Sequence, residues 1–300
     1  MRNVRILILA TLAMFASVAA HADHYADLYI IPIAGHTPGQ NGTNWMSDVA
    51  IQNFQSTPLT VQIVVIEAGS SADNVFPLTT PNNAGSATVP AGGSVMIKDI
   101  LGGHRGATNT TGALLVGADR PFAITSRTYS MSPAGDTVGQ TVPPARDFLD
   151  NTLSPIDLAT ATAYVPGLVQ NTDFRTNLGF VAANGSGSAE TMNIIITIKG
   201  ADGATLGTRN FTVTPGSVMQ TQFSAASITN TNYDVGSATF RIASGSGSVV
   251  PYASVIDNRT ADAVFVSGVF PQNEDQSAAF GKGTVPSLFR TILDRMSTFQ

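Results

Sequence analysis

Few residues in this chain have the type and spacing to do chemistry. Apart from His21, which lies in an N-terminal apolar segment, the histidines are His24, His36 and His104. His24 sits beside Asp23 and Asp27, where a transient metal contact is conceivable but a solvated tail is the simpler reading. His104 lies in Gly102-Gly103-His104-Arg105-Gly106, a loop by composition. A Ser/His/Asp site there would need its Ser and Asp from elsewhere in the chain, and no nucleophile elbow is present. Asp257-Asn258-Arg259-Thr260-Ala261-Asp262 could offer calcium oxygens but lacks the EF-hand ligand order; Asp and Asn there suit a turn between strands. Gly185–Ser188 and Ser244–Ser248 lack the Lys and spacing of a phosphate loop and read as hairpin or loop segments. No metal or cofactor is expected.

Binding chemistry is easier to find. Asn41, Asn44, His104, Arg105 and Asn109 fall in two stretches, Gly35–Asn44 and Gly102–Thr111, that read as long loops. They offer donors and acceptors with little charge, which suits sugar hydroxyls or a peptide backbone better than phosphate. Trp45 and Phe174 could stack on sugar rings. Both precede alternating apolar runs, so a place at the core or its edge is the expectation.

The elements that position these residues come from a duplication. Trp45-Met46-Ser47-Asp48-Val49-Ala50-Ile51-Gln52-Asn53 is echoed 129 residues later at Phe174-Arg175-Thr176-Asn177-Leu178-Gly179-Phe180, a run that continues to Asn184. Each copy has an aromatic, a spacer, a hydroxyl residue, Asp or Asn, then apolar residues at alternate positions. Short strands recur around it. Leu28–Pro32 pairs with Tyr164–Pro166, and Leu59–Val65 with Met192–Lys199. Thr88–Met96 pairs with Thr212–Met219 at an offset of 124, and Phe122–Ser126 with Val250–Ser254 at 128. β-branched residues dominate and Pro/Gly turns separate the runs. The expected fold is all-β: two tandem immunoglobulin-like Greek-key β-sandwiches, without the Cys–Trp–Cys pattern of antibody domains.

The expected boundaries follow. Residues 1–22 read as a signal peptide, with Arg2 and Arg5, an apolar run from Ile6 to Phe15, and Ala20-His21-Ala22 as cleavage site. Residues 23–144 form the first unit, 145–161 a linker, 162–271 the second unit and 272–300 a polar tail. Phe148, Leu149, Leu153, Ile156 and Leu158 make the linker too apolar to hang free. Leu288, Phe289, Ile292, Leu293 and Met296 share one face of a short C-terminal helix.

Composition narrows the partners. Removing 1–22 takes the net charge from −5 to −7, and only three residues are lysine, which argues against nucleic acid or anionic lipid. Cysteine is absent, so disulfides and thiolate sites are excluded. Charged residues are only 12%, so hydroxyls and amides must cover much of the surface. No stretch after the apolar start is long enough to span a membrane as a helix.

Phe174–Phe180 and Tyr252–Thr260, with Thr125–Tyr129 as a first-unit counterpart, resemble secreted bacterial proteins with tandem immunoglobulin-like β-sandwich repeats, over most of 27–271. The resemblance implies architecture and carries no activity or catalytic residue. The functional expectation is a secreted, non-enzymatic structural or adhesive module that meets a protein or glycan at the cell surface. A carbohydrate-binding module is the alternative, and an extracellular hydrolase a more distant third.

Overall fold

The computed structural model describes residues 27–39, 42–69, 75–77, 86–102, 109–131, 135–146, 156–157, 162–184 and 189–269. The expected signal peptide, the C-terminal helix, and Asn41, His104 and Arg105 lie outside them. The described chain is all-β with antiparallel sheets, apart from 3-10 turns such as Ala225–Ser227. No described helix is long and apolar enough to cross a membrane.

The first unit contains β1 (Asp27–Pro38), β2 (Asn44–Gln52), β3 (Leu59–Glu67), β4 (Val75–Pro77), β5 (Ser86–Val89), β6 (Ser94–Ile97), β7 (Thr110–Ala118), β8 (Ala123–Met131) and β9 (Thr137–Thr141). Between the units lie β10 (Ala145–Arg146) and β11 (Ile156–Asp157). The second unit contains β12 (Ala163–Gln170), β13 (Phe174–Asn184), β14 (Met192–Gly200), β15 (Thr205–Val213), β16 (Val218–Ser224), β17 (Tyr233–Ser244), β18 (Gly247–Asp257) and β19 (Ala263–Ser267).

The duplication is visible in the pairing. In the second unit one sheet runs β12-β17-β14-β15 and the other β16-β13-β18-β19. In the first, β1-β7-β3 continues to β4 and β5, and the other sheet runs β6-β2-β8-β9. The orders are the same, with β4 and β5 together standing where the second unit has β15. β1 joins both sheets because its last residues, Thr37 and Pro38, pair with Trp45 and Asn44 of β2.

Local chemistry explains several details. β1 and β12 each slip register around a proline, at Ile31/Ala34 and at Val165/Leu168. A bulge tolerates a residue that lacks an N–H. Pro32 therefore lies within β1 and does not end it. Most of the expected Gly35–Asn44 loop is strand, and only 39–43 connect β1 to β2. Its Gly, His, Thr and Pro have loop-like composition, yet Gly35 and His36 pair with Thr111 and Thr110 of β7.

One expected alignment shifts. Ser126 pairs with Val49 and Ala253 with Leu178, so β8 and β18 correspond at an offset of 127, not 128. A one-residue slip sends every side chain to the opposite face. The structural register places Ser126 and Ala253 on the inner faces, and Tyr252 on the outer face of its sheet.

Three apolar layers result. Ile51, Ile63, Val65, Leu114 and Val116 fill the first unit, while Phe180, Ile194, Ile196, Phe240 and Val249 fill the second. The third lies between the units. Leu28, Ile30, Val64, Ile66, Ala113 and Leu115 on one side meet Val181, Ala183, Val218 and Val250 on the other. β1, β3 and β7 are thus covered on both faces. Leu59, Val61, Ile63 and Val65 alternate with Thr60, Gln62 and Val64, a period-two pattern that predicts a half-buried strand, but Ile63 to Ile66 are all buried. Burying each Val, Leu or Ile is worth about 1.5–3 kcal/mol, so this layer joins the two units firmly.

Candidate functional site

The site grows out of the outer face of the sheet β16-β13-β18. Alternation along β13 sends Arg175, Asn177, Gly179, Val181 and Ala183 to this face. Laterally, Val181 stands between Gln220 and Val250, Gly179 between Gln222 and Tyr252, and Asn177 between Ser224 and Ser254. The face therefore changes from apolar at Ala183 to polar at Asn177 and Arg175. The apolar end packs under the first unit. The turning point is Tyr252, fully buried, which accepts a hydrogen bond from Gln220 Nε2 at 2.8 Å and stacks on Phe265 at 5.5 Å. Gly179 leaves room for its ring: a Cβ there would come within 2.6 Å of Tyr252 Cε2.

Beyond Tyr252 the units separate into a cleft of about 490 Å³. Arg175, Asn177, Gln222 and Ser224 form the second unit's wall. The first unit's wall is the end of β1, with Thr37 and Pro38, together with Gly39, Trp45 and Thr111. The floor is polar and nearly closed to solvent: Thr128, Gln140 and Ser254 are 4%, 7% and 2% exposed. Gln140 Nε2 donates to Ser254 Oγ at 2.8 Å across the junction. The amide oxygen of Gln140 is buried without a protein partner. Exchanging the amide's two ends would leave the nitrogen end unpaired instead.

Among the described residues that line the cleft, Arg175 is the one that is charged. Its Nη1 donates to Asn258 Oδ1 at 2.8 Å, which fixes the guanidinium and leaves donors over. Burial lowers its pKa from the ordinary arginine value, the sign of a partly desolvated cation.

Of the residues expected to make contacts, Asn44 is exposed at the start of β2, and Asn109 accepts a hydrogen bond from Thr37 Oγ1. The two expected contact stretches therefore meet at one end of the first unit, beside the cleft. Trp45 and Phe174 belong to none of the three core clusters. Both are half-buried, and Trp45 lines the cleft with Gly39 packed against its pyrrole edge, where a Cβ would lie 2.6 Å from Nε1.

A second polar cluster was not legible in the sequence. His36 Nδ1 lies 2.9 and 3.0 Å from the carboxylate oxygens of Asp99. Asp99 has a left-handed backbone, φ 46°, and its N–H donates to Asp48 Oδ1 at 2.9 Å. Tyr129 Oη donates to the same oxygen at 3.3 Å; burial and Asp48 raise its pKa. Only Asp48 carries a signal, the Asp/Asn position of the repeat. The cluster pins the turn after β6 to β1 and β2. No group of three potential metal ligands occurs among the described residues.

The Asp257 segment is a turn. Asp257 Oδ1 accepts the N–H groups of Arg259 and Thr260 at 2.7 and 3.0 Å, and these bonds lower its pKa. Ala261 takes the left-handed conformation, φ 61°. The linker ends pair with different units: Ala145–Arg146 with β1, and Ile156–Asp157 with β18.

No family model matches the chain, and no curated protein matches it. Solved structures give distant likenesses. A chain of the T13 IBDV viral particle has a TM-score of 0.22 at 11% identity, over 93% of this chain and 82% of that one. The C-terminal domain of the Streptococcus pyogenes antigen I/II-family protein AspA gives 0.15 at 10%, over 80% and 99%. Pleurotus ostreatus lectin gives 0.13 at 10%, over 84% and 82%. At such scores none of them defines the fold or a function.

Proposed function

We propose that this protein is a secreted, non-enzymatic binding module of the cell exterior, built from two immunoglobulin-like β-sandwich units, that holds a glycan in the cleft between them. The carrying observation is the cleft lining: hydroxyls, amides, one indole and one guanidinium over a polar floor, interleaved with the apolar Ile33, Ala34, Pro38, Ile256 and Ala263. That set suits holding a polyol by hydrogen bonds and ring contact. The immunoglobulin-like reading is broad. Numbered within a unit, strand 2 pairs with 5 and strand 3 with 6, as in immunoglobulin sandwiches, while strands 1 and 7 exchange sheets. The apolar layer between the units supports a fixed cleft, because a binding wall shared by two bodies needs them held in one orientation.

A glycan array with protein spanning residues 23–300 tests this reading. The expected result is retention of a related set of glycans, lost in Trp45→Ala with the fold intact. Uniform absence of binding across the array would sink it.

A further inference from the structure

Building on this glycan-binding reading, we infer that the cleft selects a saccharide bearing a carboxylate, with Arg175 as the carboxylate's partner. Among the described residues no Asp, Glu or Lys lines the cleft beside Arg175, so there an incoming carboxylate meets one cation and no competing anion. The guanidinium is already fixed by Asn258, so little rotamer freedom remains to be lost on binding. Its planar fork has free N–H groups in the geometry that fits a carboxylate in pairs. A neutral polyol alone would leave this partly desolvated cation without a counter-charge.

The rest of the lining argues for a sugar rather than another acid. Gln140, on the floor, is 93% buried, and its amide oxygen has no protein partner. A buried polar group in that state costs free energy, and it keeps the floor polar beneath the place a sugar would occupy. Asn177 and Gln222 add amides on one wall, and Trp45 on the other offers an apolar surface for a pyranose face.

The test is calorimetric titration of the 23–300 protein with three uronic or sialic oligosaccharides: oligogalacturonate, oligoglucuronate and oligosialate. Each is compared with its carboxyl-reduced counterpart. At least one acidic form should bind ten-fold or more tightly than its reduced partner, and the gap should narrow with salt. Arg175→Gln should abolish the gap; Arg175→Lys, which keeps the charge without the fork, should retain part of it. Gln140→Leu should weaken acidic and neutral forms alike. Melting curves identify any variant that has unfolded, and for such a variant Nε chemical shifts of Arg175 in the native protein, followed on titration, replace it. Equal binding of acidic and reduced forms would overturn carboxylate selection but leave the glycan reading intact. Arg175-dependent binding of a peptide C-terminus, with no saccharide binding, would overturn the sugar assignment, and no binding at all would overturn both readings.

Discussion

The Oγ of Ser47 accepts the backbone N–H of Gly35 at 2.8 Å, just past the bulge in β1. The second unit repeats the arrangement: Thr176 Oγ1 accepts Val169 N–H at 3.2 Å just past the bulge in β12. Each hydroxyl thus accepts a backbone N–H next to a bulge. Ser47 also bonds Thr128 Oγ1 at 2.8 Å, and Thr176 donates to Val169 O at 2.6 Å. The hydroxyl recurring in the sequence repeat is therefore a pin between the first two strands of each unit.

Removing either pin should destabilise its unit. Ser47→Ala leaves the buried Gly35 N–H unpaired, at a cost of about 1–3 kcal/mol, and Thr176→Val leaves the half-buried Val169 N–H unpaired, at a smaller cost. Urea unfolding of each variant checks this, and Ser47→Thr should retain most of the stability.

Ile51 and Phe180 occupy the same position in the two units, both fully buried in their cores. Truncating Ile51 to Ala should cost about 2–5 kcal/mol, and Phe180 to Ala about 3–5. Phe180 also has edge-to-face neighbours, Phe211 at 5.2 Å and Phe240 at 6.3 Å. Unchanged melting temperatures for both variants would mean that the register of the duplication is wrong.

Asn53 and Asn184 clamp the β5–β6 and β15–β16 turns. Asn53 Nδ2 donates to Val89 O and Pro90 O at 3.2 and 3.1 Å, and Asn184 Nδ2 to Val213 O at 3.1 Å. Gly92 and Gly216, both at positive φ, shape the two turns. Alanine at either Asn should cost about 1–3 kcal/mol and raise hydrogen exchange in the adjoining turn. Exchange left at the wild-type rate would refute the clamp.

Stability should fall in alkali. Burial pushes the Tyr233 phenol up to about 12, and complete burial raises Tyr252 as well. An unfolded tyrosine ionises near about 10. Below that pH both states hold the proton and the contribution is fully present. Between about 10 and about 12 the unfolded chain loses a proton that the folded chain keeps, so stability declines as pH rises. Tyr233→Phe and Tyr252→Phe should each flatten the slope of unfolding free energy against pH above 10, whatever their effect at neutral pH. An unaltered slope in the double variant would contradict the assignment.

Local patterns in the sequence determined much of the architecture. Alternation and β-branched residues define strands wherever the chain lies, and the repeated aromatic–hydroxyl–Asp/Asn–apolar run showed one unit used twice. The Asp257 turn was legible because its bonds join residues only a few positions apart. Other features depended on tertiary structure. His36 and Asp99 are 63 positions apart, and no periodicity links them. The Gly35–Pro38 segment became strand because β7 and β2 offered partners, which overrode a loop-like composition. The double-sided burial of β3 required the second unit to cover it. The cleft itself has no local signature. Trp45, Gln140 and Arg175 come together only because the apolar ends of two outer sheet faces pack and leave their polar ends apart.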